Sequence, residues 1–469
     1  MEVIKFLNNN IFWGLPMLIL MLGTGIYLTI ATKGIIFTKF GTVMKYTLKT
    51  IIGRQKKSDD EGAITPFQAV STALAATVGT GNIVGIAVSI QTGGPGAIFW
   101  MLVAALFGMV TKYSEVTLAV AYRERDSEGN LVGGPMYYLS KGTGKKWVAV
   151  AFCFCGALSS FGIGNMTQAN SLSGAVNATF GVPTWISGLV LAALAGLVVI
   201  GGLKRISSVA EILVPFMAAL YIIGALIVLV INAPKIPMAI GLIFENAFTG
   251  TAAKGGFLGA SIMYGMRIGV ARGVFTNEAG LGSAPIAHAS ADNDHPARQG
   301  LWGSFEVFFD TVVMCTITAL VIITSGLWDS DPMMSGNALA QAAFKNAFNG
   351  GQYIVSIGLV LFVFATIIAW YYYGESCTKY ISGKKGVRIY QVLFVIAIFI
   401  GAMAKIDLVW ELADLLNAFM AIPNLIGLII LTPVVKNLTE DLFSDPSRIR
   451  PKGEDFSRFL ITKDTSKNN

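Results

Sequence analysis

The sequence predicts an all-α polytopic membrane protein of about eleven transmembrane helices, ten of them forming a 5+5 inverted repeat behind one extra N-terminal helix. Three observations predict it. Of the 469 residues, 54% are hydrophobic and 13% are charged, and the mean hydropathy is +0.65. A water-soluble domain carries about 25% charged residues, so this chain has roughly half the charge needed to cover a surface facing water. The apolar residues gather in eleven runs, most of them near the ~20 helical residues that cross a hydrocarbon core. Two runs are interrupted by glycine and polar residues at matching positions of two halves, the pattern of an inverted-repeat transporter.

The runs follow in order. Ile11–Ala31 lacks the basic segment and small-residue cleavage site of a signal peptide, so it reads as a membrane helix. Phe67–Gln91 is the first interrupted run. Gly96–Ala121, Trp147–Phe180, Trp185–Gly202 and Val209–Ile231 come next, and Gly255–Ala291 is the second interrupted run. Leu301–Ser325, Tyr353–Tyr373, Tyr390–Ala404 and Val409–Val434 complete the set. The Asp331–Asn349 stretch is too polar to span and predicts an amphipathic extracellular helix over Ala338–Phe348. The layout is then residues 1–64 for the extra helix and a cytoplasmic linker and 65–235 for the first five-helix repeat. Residues 236–383 hold the next three core helices with the loop helix, and 384–435 the last two. The polar residues 436–469 form a tail with little packed structure of its own.

Lysine and arginine collect in alternate connections, from Lys33–Lys57 through Arg123–Lys146, Lys204–Arg205, Arg298, Lys379–Arg388 and the tail. The positive-inside rule places these in the cytoplasm, with the N-terminus outside and the C-terminus inside a plasma membrane. Because the cations lie between apolar runs, the +7 charge and isoelectric point near 9.1 indicate lipid-flanking loops, not nucleic-acid binding. Enzyme chemistry has no support. The two histidines, His288 and His295, make no zinc motif, and Cys153, Cys155, Cys315 and Cys377 all sit in apolar runs. The glycines around Gly79 lack the spacing and preceding strand of a dinucleotide fingerprint.

The interruptions carry the functional signal. Residues Ala75–Gly85 read AATVGTGNIVG, so Thr77, Gly79, Thr80, Gly81 and Asn82 weaken a helix in mid-membrane. Freed carbonyls there suit a small cation, and the N-terminus of the following half-helix suits a carboxylate. Close helix packing through small residues is the competing reading. The second interruption spans Gly265–Ser283, with two arginines, a glutamate and several glycines; a cytoplasmic re-entrant loop competes with it. Phe248–Thr251 is a rival break point. Setting the first run aside, the interruptions fall in core helices one and six of ten, with opposite entry sides.

Several stretches resemble the alanine or glycine:cation symporter family, within the group sharing the leucine-transporter fold. They are Thr77–Gly85 (TVGTGNIVG), Gly93–Met101 (GGPGAIFWM), Lys112–Val116 (KYSEV), Gly133–Leu139 (GGPMYYL), Asn277–Ala289 (NEAGLGSAPIAHA) and Met420–Ile426 (MAIPNLI). The resemblance implies sodium-driven uptake of glycine and alanine, with a leucine-transporter-like core. It implies substrate held between the interrupted helices and core helices three and eight, with Thr77, Gly79, Thr80 and Gly81 on one side. Gly273, Val274, Phe275, Thr276 and Asn277 lie beside the second interruption. Sodium, a hard cation with oxygen ligands, would be held by the carbonyls of Ala75 and Val78 with the Thr366 hydroxyl, and Asn82 would hold an ion or the substrate carboxylate.

Gln168 stands in a polar stripe with Asn165, Thr167, Asn170, Ser171 and Ser173. It both donates and accepts, which suits a zwitterion; interhelical hydrogen bonding is the plainer role for the rest. Glu306 and Asp310, four apart in an apolar run, read as an ion or proton site or as partners of Arg267 or Arg272. Glu115, Glu211 and Glu375 are expected near cytoplasmic ends, solvated or paired. Trp100, Trp370 and Tyr371–Tyr373 read as packing or interfacial belt. Proton coupling, and a sodium-independent facilitator or channel, stay open beside sodium symport.

Overall fold

A computed structural model describes residues 2–52, 60–249, 258–329, 334–404 and 407–444. Apart from one two-stranded hairpin, the described chain is helical. The order is α1 (Leu15–Ala31), α2 (Phe40–Ile52), α3 (Pro66–Thr77), α4 (Gly81–Gly93) and α5 (Gly96–Ala121), then α6 (Pro135–Gly142), α7 (Lys146–Phe180), α8 (Thr184–Val199) and α9 (Gly202–Ile231). After these come α10 (Ile236–Thr249), α11 (Leu258–Asn277), α12 (Pro296–Ser325), α13 (Gly336–Ala347), α14 (Gly351–Met403), α15 (Asp407–Ile430) and α16 (Thr432–Ser444).

Six described helices are long and apolar enough to cross a membrane: α5, α7, α9, α12, α14 and most of α15. The bent pair α3 and α4 makes a seventh span, and α1 and α8 are shorter apolar helices. The expected runs Tyr353–Tyr373 and Tyr390–Ala404 lie within α14, which leaves helical geometry at Gly383 (φ 65°, ψ −163°). The exposed faces of α9 and α14 carry large apolar side chains such as Ile212, Val230, Ile389 and Ile400, as a lipid-facing surface requires.

Local sequence accounts for the bends. Thr65 caps α3 reciprocally with Gln68, and Pro66 fills the first helical position, so α3 starts sharply. It ends at Val78, whose ψ of 90° is extended, and α4 restarts 50° away with a π-turn over Gly81–Gly85. Further π-segments interrupt α7 at Gly162–Met166 and α12 at Phe308–Cys315.

The helices pack in two groups. α11 and α12 lie along α5, while α7, α8 and α9 lie along α14, and α3 bridges the two by touching α12 on one side and α9 and α14 on the other. Close approach of α11 to α5 depends on Gly269, where a Cβ would stand 2.1 Å from the Ala97 carbonyl oxygen.

At the predicted cytoplasmic end the two interrupted segments are joined through backbone. Ile64 forms a parallel bridge with Ala291, its N–H donating to Ser290 O (3.0 Å) and its carbonyl accepting from Asp292 N (2.7 Å). The hairpin Glu124–Arg125 with Leu131–Val132 closes over this bridge, Leu131 N donating to Gly62 O at 2.8 Å. Arg123 donates to the carbonyls of Ala289, Ala291 and Asn293, and Arg125 pairs with Asp60. Lys379 of α14 reaches Asp126 at 2.7 Å, tying the hairpin to the second helix group. This end is shut.

Three expectations change. The tail is not loosely packed throughout: through Ser444 it forms α16, which buries Val435, Leu438 and Leu442, and whose Thr439 meets Tyr113 at 2.9 Å. Residues 445–469 lie outside the described chain. In the first part of the second interruption Gly269 and Gly273 pack α11 against α5 without unwinding it, and the chain leaves helix only after Asn277. The rival break at Phe248–Thr251 lies partly outside the described residues, and Phe248 and Thr249 end α10. The amphipathic helix expected at Ala338–Phe348 is α13, displaced by one or two residues.

Candidate functional site

The second break follows α11 directly. Glu278, Gly280 and Gly282 all take positive φ (55°, 91° and 81°), so the chain turns in left-handed steps that a helix excludes. One short turn, Pro285–His288, precedes α12.

Around the first break, distant elements converge on Gly79. The Thr366 hydroxyl of α14 donates to the Ala75 carbonyl at 3.0 Å. A Cβ at Gly79 would lie 2.8 Å from that hydroxyl and 3.8 Å from Gln168 Oε1 of α7. Gln168 spends its amide donor on Ile163 O (3.1 Å), a carbonyl released by the π-segment, while its Oε1 is buried without a partner. A buried acceptor left unpaired costs about 1–3 kcal/mol, so this oxygen marks a place for a donor.

Asn82 accepts from Gly79 N at 2.9 Å and donates to Asp310 Oδ1 at 2.6 Å. Thr311 donates to Asp310 Oδ2 at 3.0 Å, and Asn277 donates to Thr311 at 3.0 Å. A single polar chain thus links Gly79 in the first break to Asn277 at the lip of the second, through the π-segment of α12. Thr276 meets Gly81, where a Cβ would stand 2.8 Å from its methyl.

The other expected residues divide. Thr80 and Gly81 line a cavity of about 220 Å³ with Val84, Ser171, Arg272, Phe275 and Trp410. That holds several waters or one small solute. Arg272 lies 5.6 Å from the centre of the Phe275 ring, which tilts against Trp410. Thr77 is buried and returns its hydroxyl to its own helix, at Ala73 O. Val78 is buried at the end of α3. Gly273 and Val274 face α5 and α1, on Met101 and Met21. In the polar stripe, Asn165, Asn170 and Ser173 bond to carbonyls of α14 and Ala404, as interhelical fasteners.

The carboxylates depart from expectation. Asp310 joins Asn82 and Thr311; Glu306 lies 3.4 Å from Lys112 and 3.1 Å from His288, so α5 and the turn after the second break supply its partners in place of Arg267 or Arg272. Glu115 is wholly buried, accepting from Gly282 N (3.1 Å) and Asn424 Nδ2 (2.5 Å). Glu211 accepts from Gln68 and Glu375 from Tyr371, as paired groups. Sequence reasoning passed over Lys112 as part of a motif, although a lysine inside an apolar run is itself a signal. Among the described residues, no cluster of histidine, cysteine and carboxylate is arranged to hold a metal ion.

The sequence profile described as the sodium:alanine symporter family matches residues 1–453. The chain belongs to that family. It is a membrane transporter, not an enzyme. The sodium/alanine symporter AgcS of Methanococcus maripaludis is 47% identical over 94% of this chain and 97% of its own. The probable sodium/glutamine symporter GlnT of Bacillus subtilis is 39% identical, covering 94% and 90%. The putative sodium/proton-dependent alanine carrier YrbD of the same organism is 33% identical, covering 96% of each. The crystal structure of MhsT in complex with L-phenylalanine superposes with a TM-score of 0.59 at 13% identity, covering 85% of this chain and 97% of that one. The chain therefore has the leucine-transporter type of fold.

Proposed function

We propose that the protein couples sodium influx to uptake of alanine and glycine by alternating access. In this reading eleven crossings place the N-terminus outside the cell and the C-terminus in the cytoplasm. The observation that carries it is the unpartnered Gln168 Oε1 beside Gly79, next to the Thr366–Ala75 contact. The acceptor suits the substrate ammonium, and the N–H groups at the start of α4 suit its carboxylate. Sodium takes the carbonyls of Ala75 and Val78 with the Thr366 hydroxyl. Because Gly79 adjoins both sets of groups, filling one orders the backbone the other needs; that shared backbone couples the two ligands. Glycine at 79 and 81 lets the main chain approach a small substrate, and Thr276 and Phe275 close over Gly81.

In this reading the cavity at Thr80 and Phe275, with the backbone and ion-pair contacts at the opposite end, belongs to a state open toward the outside. The test is labelled alanine uptake into proteoliposomes, with and without an inward sodium gradient at fixed pH. Saturable accumulation above equilibrium only with sodium is the expected result. Equilibration indifferent to sodium removes the reading, and accumulation driven by a pH gradient alone moves the ion site to the carboxylates.

A further inference from the structure

Between the substrate region and the shut end lies a second polar cluster that the proposed function does not use. Lys112 and Glu115 come from α5, Glu278 and His288 from the second break, and Glu306 from α12; none is more than 2% exposed. Tyr373 of α14 also stands near Glu278 and Glu306, its hydroxyl buried without a partner, and Tyr138 of α6 donates to Asn424, which in turn holds Glu115.

The hydrogen-bond polarity fixes the charges. His295 N–H donates to Asn293 Oδ1, so the Asn293 amide donates to Gln299 Oε1 (3.0 Å) and the Gln299 amide donates to His288 Nδ1 (2.9 Å). His288 is therefore neutral, with its proton on Nε2 and donated to Glu306 Oε2 at 3.1 Å. Glu306 accepts as a carboxylate and its charge cancels that of Lys112. Lys112 also lies near Glu115 and Glu278, so one cation faces three carboxylates and Glu115 and Glu278 are left uncompensated in the count. Their described partners are backbone N–H groups at Gly280 and Gly282, the amide of Asn424, the hydroxyl of Ser283 and the indole N–H of Trp370, none of them charged, and Glu115 Oε2 has no hydrogen bond. An uncompensated buried carboxylate costs several kcal/mol, which a proton removes.

We propose that Glu115 and Glu278 form a proton-loading site of the inner half, protonated from the cytoplasm as that half closes and emptied into it as that half opens. Each step moves one proton between water and a carboxylate oxygen, with no net passage across the membrane. The proposal rests on alternating access as read above. The closed state holds more protons than the hydrated open one, so acid favours closure and alkali favours opening. Each proton changes the open-to-closed ratio about tenfold per pH unit while it titrates.

The test is hydrogen–deuterium exchange of the full-length protein in lipid nanodiscs at pH 6 and pH 8, corrected for intrinsic chemical rates, with sodium-driven alanine uptake run in parallel. Amides of residues 278–292 should exchange at least about tenfold faster at pH 8, and those of α4 more slowly. The double variant Glu115→Gln, Glu278→Gln should lose both differences. Equal corrected rates in the wild type, or an unchanged difference in the variant, overturn the proposal whatever the uptake shows. Alanine accumulation driven by a proton gradient without sodium overturns it too, by making protons cargo. Absence of sodium-driven uptake with the exchange pattern intact counts against the symport reading and leaves the proton site standing.

Discussion

Gly79→Ala probes the coupling at its narrowest point. The added methyl would stand 2.8 Å from Thr366 Oγ1, so one side must give by about 0.6 Å to reach ordinary contact. Forcing a methyl into a packed site costs about 1–3 kcal/mol, which corresponds to a ~5- to 150-fold loss of affinity. Since Thr366 also holds Ala75, the loss should appear first as a raised sodium requirement, with alanine affinity falling only through coupling. Thr366→Ala alone removes an oxygen ligand and should cost a similar amount, near the 1.5–3 kcal/mol of hydrogen bonds to charged groups. In the double variant the clash is gone, so it should be no worse than Thr366→Ala. The assay is initial alanine uptake in proteoliposomes across a sodium series, with each affinity fitted separately. Fully additive losses in the double variant would falsify the reasoning, because the Gly79 effect would then not pass through Thr366.

Gln168→Ala should raise the alanine KM by about 5- to 150-fold, on the 1–3 kcal/mol scale of a lost polar partner, while the sodium requirement moves less; equal movement of both would remove Gln168 from substrate recognition. Glu306→Gln leaves the Lys112 ammonium buried without its counter-charge, a defect of about 3–5 kcal/mol. The detergent-solubilised variant should melt several degrees lower, and Lys112→Met added to it should recover part of the loss; an unchanged Tm counts against the pair. Asp60 is held below its ordinary value of 3.8, chiefly by its hydrogen bond to Arg125. A lowered carboxylate contributes stability above its unfolded value and loses it as pH falls through the folded one. Both partners are partly exposed, so Asp60→Asn should cost less than about 1 kcal/mol at pH 7. The difference from wild type should shrink as pH falls below 3.8, and a difference that grows there would contradict the assignment.

The membrane architecture was legible because lipid imposes a blunt rule: long apolar runs span, and glycine with polar residues in mid-run marks a break. The first break fell where Val78–Gly81 predicted, and Thr366 met Ala75 as the family resemblance implied. The second break fell within the expected Gly265–Ser283 stretch but only at its far end, since glycine has two uses in a membrane. In α11, Gly269 and Gly273 serve contact with α5, and only the left-handed steps at Glu278, Gly280 and Gly282 turn the chain; backbone sign is not written in composition. Asp310 was recognisable as an intramembrane carboxylate, but not its partner, because Asn82 lies 228 positions away. The π-segments that free the Ile163 carbonyl and aim Gln168 leave no periodic trace in the sequence. The helix α16 was missed because its buried residues, Val435, Leu438 and Leu442, are too few and too widely spaced to read as an apolar run.

The parallel bridge between Ile64 and Ala291 makes a yoke of the two interrupted helices. Its two hydrogen bonds run between main-chain atoms, so substitutions that keep an N–H at Ile64 and Asp292 leave the join itself intact. In the alternating-access proposal, the inner ends of α3 and of the segment after the second break are therefore expected to swing as one lever, pivoting where their backbones leave helix. Such a linkage lets loops and pocket walls diverge among relatives with different cargoes while the stroke of the machine stays the same.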